Sequence, residues 1–230
     1  MYKDIKVIAF DADDTLWVNE TYFREAEHEF AKLLSNYETE NKIDQELFKK
    51  EIANLKYYGY GIKGFVLSMI ECALELSNNQ TSPITIGKII TIGKEMLNKP
   101  IELISGIEEV LQALQNDYKL IVATKGDLLD QEKKLEKSGL LKYFHHIEVM
   151  SDKKPKDYLK LIQHLEIQPK ELLMIGNSLK SDILPLLKIG ATAIHVPFHT
   201  TWVHEEVSEK EKAGSTYKTV SNIKEVIALF

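Results

Sequence analysis

The chain has 230 residues, and its 35 acidic side chains exceed its 29 basic ones, giving a formal net charge of −6. That balance, with no long basic run, excludes a dedicated nucleic-acid or membrane-surface binder as the expectation. One cysteine, Cys72, excludes a disulfide framework, a multi-cysteine zinc site and CxxC redox chemistry within one chain. The first residues, Met1-Tyr-Lys-Asp-Ile-Lys, carry no basic segment followed by an apolar stretch, and no run approaches the ~18 apolar residues of a membrane helix. The expectation is a soluble cytoplasmic protein, one large domain or a domain with a sizeable insertion.

In chain order, the first apolar run is Ile5 to Phe10, and it ends in Asp11-Ala-Asp13-Asp14-Thr15. From Trp17 to Pro100 no convincing strand follows. Instead, four segments carry apolar residues at helical spacing. The first, 20–37, carries Phe23, Ala26, Phe30, Leu33 and Leu34. The second, 44–55, carries Leu47, Phe48, Ile52 and Leu55. The third, 62–76, carries Phe65, Val66, Met69, Ile70, Ala73 and Leu74, with Cys72 on the same apolar face. The fourth, 83–97, opens on a proline suited to a first helical turn. A glycine-rich stretch, 57–64, separates the second and third. This block reads as an inserted helical lid.

After residue 100 strands and helices alternate. Short Ile/Val-rich runs at 120–123, 147–150, 172–175 and 193–196 read as buried strands. Between them, Ile107, Val110, Leu111 and Leu114 share a helical face. Leu128, Leu129, the stem of Lys133 and Leu135 share one more loosely, and Tyr158, Leu159, Ile162 and Leu165 form a third. Alternation of this kind predicts an α/β fold, a Rossmann-like doubly wound parallel sheet with the all-helical cap inserted after its first strand. The expected division is a core of 1–16 and 101–230 and a cap of 17–100.

Four runs end in distinctive polar residues: Asp11 to Thr15, then Thr124-Lys125-Gly126, then Ser151-Asp152-Lys153-Lys154-Pro155, then Gly176-Asn177-Ser178 with Asp182 five positions after Asn177. In an open parallel sheet the carboxyl ends of the strands share one edge, where ligands bind. Carboxylates, a hydroxyl, an ammonium and an amide gathered there suit phosphoryl transfer with Mg²⁺: oxygen ligands for a hard cation, a carboxylate nucleophile, a second carboxylate as acid/base, and cationic or hydroxyl groups for the transferring oxygens.

These motifs resemble the haloacid dehalogenase-like hydrolase superfamily, in particular its phosphatases with a helical (C1-type) cap. Asp11-Ala-Asp13-Asp14-Thr15 matches that family's DxDxT opening, Thr124 its second motif, a lysine near 153 its third, and Gly176-Asn177 with Asp182 its fourth, over essentially the whole chain. The resemblance implies Asp11 as nucleophile and Mg²⁺ ligand, and Asp13 as general acid/base with its carbonyl on the metal. It further implies Thr124 as phosphoryl holder, Lys153 as charge neutraliser, and Asn177 and Asp182 as completing the metal site. Two departures stand out. Asn177 occupies a position where most relatives have Asp, and the third motif fits either Lys153, five residues before Tyr158, or Lys154, which precedes Pro155.

Substrate contacts are expected from Thr124, Lys125, Gly126, Lys154, Tyr58 and Tyr60. For Lys125 the alternative is a solvated lysine and for the tyrosines cap core; Arg24, the sole arginine, reads as an exposed helix position with a substrate-anion contact as its alternative. Asp14 reads as a loop or capping residue. His145 and His146, adjacent on a strand, point to opposite faces and are read as bland. The spaced His195, His199 and His204 are read as a loop packing over the sheet edge. The expected activity is Mg²⁺-dependent hydrolysis of a small soluble phosphomonoester by a monomer or homodimer, with no nucleic-acid or membrane partner. A phosphotransferase or mutase, a haloacid dehalogenase and a receiver-like phosphoacceptor are the alternatives; Asp13 speaks against the dehalogenase, which needs no acid/base there.

Overall fold

A computed structural model describes residues 2–230. The described residues form six strands, the first five of them from the apolar runs: β1 (Val7–Phe10), β2 (Lys119–Lys125), β3 (His146–Met150), β4 (Leu172–Gly176), β5 (Thr192–His195) and β6 (Lys218–Thr219). They make one all-parallel sheet in the order β3-β2-β1-β4-β5-β6. The first strand is therefore central, and the order reverses beside it, between β2 and β4. The two-residue β6 carries no apolar run and was not expected.

Successive strand residues face opposite sides of a sheet, and both sides are covered here. Ile8, Phe10, Leu120, Val122, Leu173 and Ile175 pack with α5 (Ile107–Leu114) and with Ile223 and Val226 near the C-terminus. Their neighbours Val7, Ala9, Ile121, Ala123, Leu172 and Met174 pack with Tyr158, Leu161 and Ile162 of α7 (Pro155–His164) and with Ile183 and Leu186. Such double coverage explains why the strands read as continuous apolar runs rather than alternating ones.

The helical block folds as α1 (Glu20–Leu34), α2 (Glu40–Tyr58), α3 (Ile62–Leu76) and α4 (Pro83–Asn98). Its core holds Ala26, Phe30, Leu34, Ile43, Leu47, Phe65, Met69, Cys72 and Ile89. Helix α2 begins four residues before the expected 44 and buries Asn54, whose amide donates to Ser68 Oγ at 3.1 Å. Ser82 caps α4, accepting from the Thr85 N–H, with Pro83 in the first turn.

Two compact units result: 1–20, 101–125 and 131–230 in one, 21–100 and 126–130 in the other. The division differs from the expected one at both seams. Trp17 forms bridges with Asp13 and Leu103, which keeps 17–20 with the sheet. The segment 126–130 clusters with the helices, where Asp127 accepts from Lys63 at 2.8 Å. Two expected helical faces also shift. In α6 (Leu128–Lys137) Leu128 and Leu129 are exposed, and Asp130, Gln131 and Leu135 are the buried positions. In α7 the buried set is Tyr158, Leu161 and Ile162, and Leu159 faces solvent. Among the described residues no helix is long and apolar enough to cross a membrane.

Candidate active site

The turn after β1 is built around one carbonyl: the N–H groups of Thr15, Leu16 and Trp17 all point to Ala12 O. Asp14 adopts a left-handed φ of 63°. Its carboxylate accepts from the N–H groups of Asn19 (2.8 Å) and Glu20 (3.1 Å), and so caps the start of α1. Burial pushes this carboxyl up to about 7, against the pull of those N–H donors. This turn frees Asp11 and Asp13 for the sheet edge.

Asp11 Oδ1 accepts from Lys153 Nζ at 2.5 Å, and the same ammonium donates to Asp182 Oδ1 at 2.7 Å. All three side chains are buried, with Lys153 only 2 % exposed. Burial pushes the Asp11 carboxyl up to about 7; Lys153 works against that rise, and Asp182 and Asp13 add to it. Burial alone would lower the Lys153 ammonium, but Asp11 and Asp182 hold it well above the usual range. The Thr15 hydroxyl lies 3.4 Å from Asp11 Oδ2 and 3.3 Å from Asn177 Oδ1, so these two oxygens converge on it.

Lys154 stands apart from this cluster. Its ammonium pairs with Asp152 at 2.6 Å and its side chain is 65 % exposed. The lysine in contact with Asp11 is Lys153, and Lys154 caps α7. Proline at the first position of α7 turns the chain so that consecutive lysines part, one inward and one outward.

Asp13 is oriented by three donors. Trp17 Nε1 (2.8 Å) and Lys134 Nζ (3.1 Å) reach Oδ1, and Gln131 Nε2 (2.9 Å) reaches Oδ2. Gln131 Nε2 also lies 2.9 Å from Thr124 Oγ1 and 2.8 Å from the Lys125 carbonyl, so one amide ties the β2 end to Asp13. Sequence reading missed Gln131 and Lys134. Their only signal is the i, i+3 spacing, masked by the apolar Leu128 and Leu129.

Asp182 sits in a wide π-type turn, Leu179–Ile183, of the sort that recurs at functional sites. Its Oδ2 accepts from the Ser178 N–H at 2.9 Å. A Cβ at position 176 would lie 2.4 Å from that Oδ2, so the strand-ending glycine is what lets the carboxylate approach. Tyr158 closes the arrangement below, its hydroxyl donating to the Ser181 carbonyl at 3.0 Å.

Lys125 is not a solvated lysine. Its ammonium donates to Ser181 Oγ (2.9 Å) and Glu205 Oε1 (2.6 Å). Glu205 also accepts from Ser178 Oγ and Ser181 Oγ, each at 2.5 Å. Although burial works in the opposite direction, Lys125 and the two serines hold the Glu205 carboxyl down at about 2. Glu205 was missed: it ends a single 3-10 turn, Val203–Glu205, too short to impose a periodic pattern. In the same region His195 Nε2 donates to the Asn177 carbonyl at 3.0 Å, and the rings of His199 and Phe198 and of Trp202 and His204 meet at a tilt.

Tyr58, Tyr60 and Gly126 belong to the helical unit. There the Tyr58 hydroxyl donates to Glu71 at 2.7 Å, Gly126 takes a φ of 130°, and Arg24 pairs with Glu27 at 2.8 Å on α1.

Such a site, with Asp11 and Asp13 after the central strand of a doubly wound sheet and a buried lysine bridging Asp11 to Asp182 from the neighbouring strand's end, is a constellation suited to a hydrolase of the α/β class. Residues 5–190 match the family model for haloacid dehalogenase-like hydrolases, and the chain belongs to that family. A haloacid dehalogenase-like family hydrolase from Xanthomonas campestris shares 40% identity, with a TM-score of 0.81 over 91% of this chain and 88% of that one. The glyceraldehyde 3-phosphate phosphatase of Methanopyrus kandleri is 22% identical over 84% of both chains. The N-acylneuraminate-9-phosphatase of Rattus norvegicus is 27% identical over 43% of this chain and 40% of its own length. The chain is therefore a haloacid dehalogenase-like hydrolase with phosphatases among its relatives.

Proposed function

We propose that this enzyme is a Mg²⁺-dependent phosphomonoesterase that acts on a small soluble phosphorylated metabolite through an aspartyl phosphate on Asp11. The observation that carries this reading is the Asp11–Lys153–Asp182 cluster with Asp13 oriented two residues from the nucleophile. An attacking carboxylate serves a dehalogenase equally, but a carboxylate held by Trp17, Gln131 and Lys134 at position 13 serves only a reaction that needs a proton moved.

The donor set fits Mg²⁺. Asp11 Oδ2 and Asn177 Oδ1 converge on one hydroxyl, all candidate donors are oxygen, and the buried carboxylates outnumber the single buried ammonium. The Asp11 carboxyl, driven up by burial and by neighbouring carboxylates, is a group that a nearby dication would return to its charged form. Asp11, Asn177 and the Asp13 carbonyl would hold the ion. Asp182, whose oxygens already serve Lys153 and the Ser178 N–H, would act directly or through water. Bound there, Mg²⁺ supplies positive charge that screens the nucleophile from the substrate phosphate.

In the first half-reaction an Asp11 oxygen attacks phosphorus, the ester P–O bond breaks, and the departing alkoxide takes a proton from Asp13. In the second, Asp13 removes a proton from water, the resulting hydroxide attacks phosphorus, and the phosphate leaves Asp11 as the free carboxylate. Lys153 stabilises charge on Asp11 and the transferring oxygens throughout, and Thr124 offers its hydroxyl to the phosphoryl group.

The test is phosphate release from sugar phosphates, nucleoside monophosphates and small organic phosphates, with and without Mg²⁺. Mg²⁺-dependent release by wild type, abolished in Asp11→Asn, is expected. Release no greater than the Asp11→Asn background across the panel refutes the reading. Turnover that depends on an added alcohol acceptor assigns a phosphotransferase instead.

A further inference from the structure

On the far edge of the sheet a second set of metal-binding groups comes together, outside the site described above. Three observations define it. His146 and Glu148 are two apart on β3, so they project from the same side of the strand. His164 is the last residue of α7, the helix that leads away from the lysine motif. The ring nitrogens and the carboxylate of these three residues offer ligand atoms that all lie within 4.8 Å of one another.

Their geometry is close to that of a tetrahedral site. His146 Nε2 lies 2.9 Å and His164 Nδ1 3.8 Å from the same oxygen, Glu148 Oε2. Ligands about 2.0–2.1 Å from a tetrahedral zinc are separated by roughly 3.3 Å, so the two distances straddle the required edge. The imidazoles meet edge to face, with centroids 5.2 Å apart, so the two rings lie side by side at the carboxylate. The His146 and Glu148 side chains are about one-third exposed, at 31 % and 30 %, and His164 is 65 % exposed, which leaves the outer position open to water. The C-terminal turn of α7 adds its own bias, because backbone carbonyls there favour a positive charge.

We propose that His146, Glu148 and His164 form a second cation site, selective for a borderline transition-metal dication such as Zn²⁺. Two imidazoles and one carboxylate, with water in the fourth position, is a donor set that prefers zinc, cobalt or nickel to magnesium. The all-oxygen cluster around Asp11 has the opposite preference. The chain thus carries two cation sites of different chemistry: one at the catalytic edge of the sheet, the other fastening the edge strand β3 to α7. His145 takes no part in it; the two histidines diverge on the strand, and the ligating partner of His146 is two residues on. The inference is independent of the reaction proposed for Asp11.

The test is a ZnCl₂ titration of ¹⁵N-labelled protein, following the imidazole nitrogens by long-range ¹H–¹⁵N correlation, in wild type and in Asp11→Asn. Zinc is expected to move His146 Nε2 and His164 Nδ1 in both proteins, and MgCl₂ to leave them in place. By calorimetry, the His146→Ala/His164→Ala variant is expected to bind at least about tenfold more weakly or to lose one zinc equivalent, since even outer partners of a metal ligand are worth 10–100-fold in affinity. Zinc uptake that leaves both imidazoles unmoved, movement produced equally by Mg²⁺, or unchanged zinc binding by a folded double variant overturns the proposal. Should the double variant not fold, the wild-type imidazole shifts decide alone.

Discussion

Replacing Glu205 by Gln tests whether the loop after β5 is electrostatically bound to the site. Glu205 keeps its shape in this variant but loses the charge that faces Lys125 at 2.6 Å, while both serine hydroxyls at 2.5 Å retain an acceptor. The gap between the usual glutamate value of 4.5 and about 2 corresponds to about 3 kcal/mol in favour of the charged form, at ~1.36 kcal/mol per tenfold. The side chains of Lys125 and Glu205 are only 15 % and 12 % exposed, so solvent screens little of this, and Gln removes the carboxylate that a nearly buried ammonium faces at 2.6 Å. Glu205→Gln should therefore lose about 2–3 kcal/mol at pH 7, a fall in melting temperature of roughly 4–12 °C for a chain of this size. The sign with pH follows from linkage. A carboxyl depressed in the folded state stabilises above its unfolded value and loses that contribution as pH falls through its folded one. The difference between wild type and Glu205→Gln should thus be full above pH ~4.5 and nearly gone at pH ~2. Urea unfolding at pH 7 and pH 2.5, with a double-mutant cycle through Lys125→Met, measures both quantities. A loss below about 0.5 kcal/mol at pH 7, or a difference that persists undiminished at pH 2.5, would show that the contact carries no such charge stabilisation.

Two further changes probe the site from opposite sides. Gly176→Ala places a methyl 2.4 Å from Asp182 Oδ2. It should cost about 1–3 kcal/mol by overpacking and reduce kcat, because the carboxylate that holds Lys153 must move; unchanged urea midpoint and turnover would contradict the packing argument. Lys153→Met removes the ammonium shared by Asp11 and Asp182 and should lower kcat by at least about 10³-fold, whereas Lys154→Ala, losing only an exposed pair with Asp152, should change it less than about threefold; steady-state kinetics of the pair, with equal losses in both, would refute the assignment of Lys153.

Much of this molecule is legible along the chain, for a physical reason. Strands β1, β2 and β4, covered on both faces, are apolar through their centres and stand out, β3 and β5 show shorter runs, and in a parallel sheet whatever polar residue ends each strand falls on one edge. Asp11, Asp13, Thr124 and Asp182 are readable in that way, and the four helices of the insertion announce themselves by their period. The capping role of Asp14 is readable too, but the seam between the units fell at 20/21 and at 126–130 because Trp17 and Asp127 found partners far away in sequence. What only tertiary packing decided is the identity of partners. Lys153 and Lys154 are chemically alike, and the burial of one beside two carboxylates, with the other left in solvent, separates them. Gln131, Lys134 and Glu205 reach the site from a helix flank and a single 3-10 turn, neither of which imposes a period on the sequence. Periodicity records which side of an element is buried; it does not record which distant polar group will be found there, and so Asp11 was visible in one dimension while the side chains that hold its neighbours in place became visible only in three.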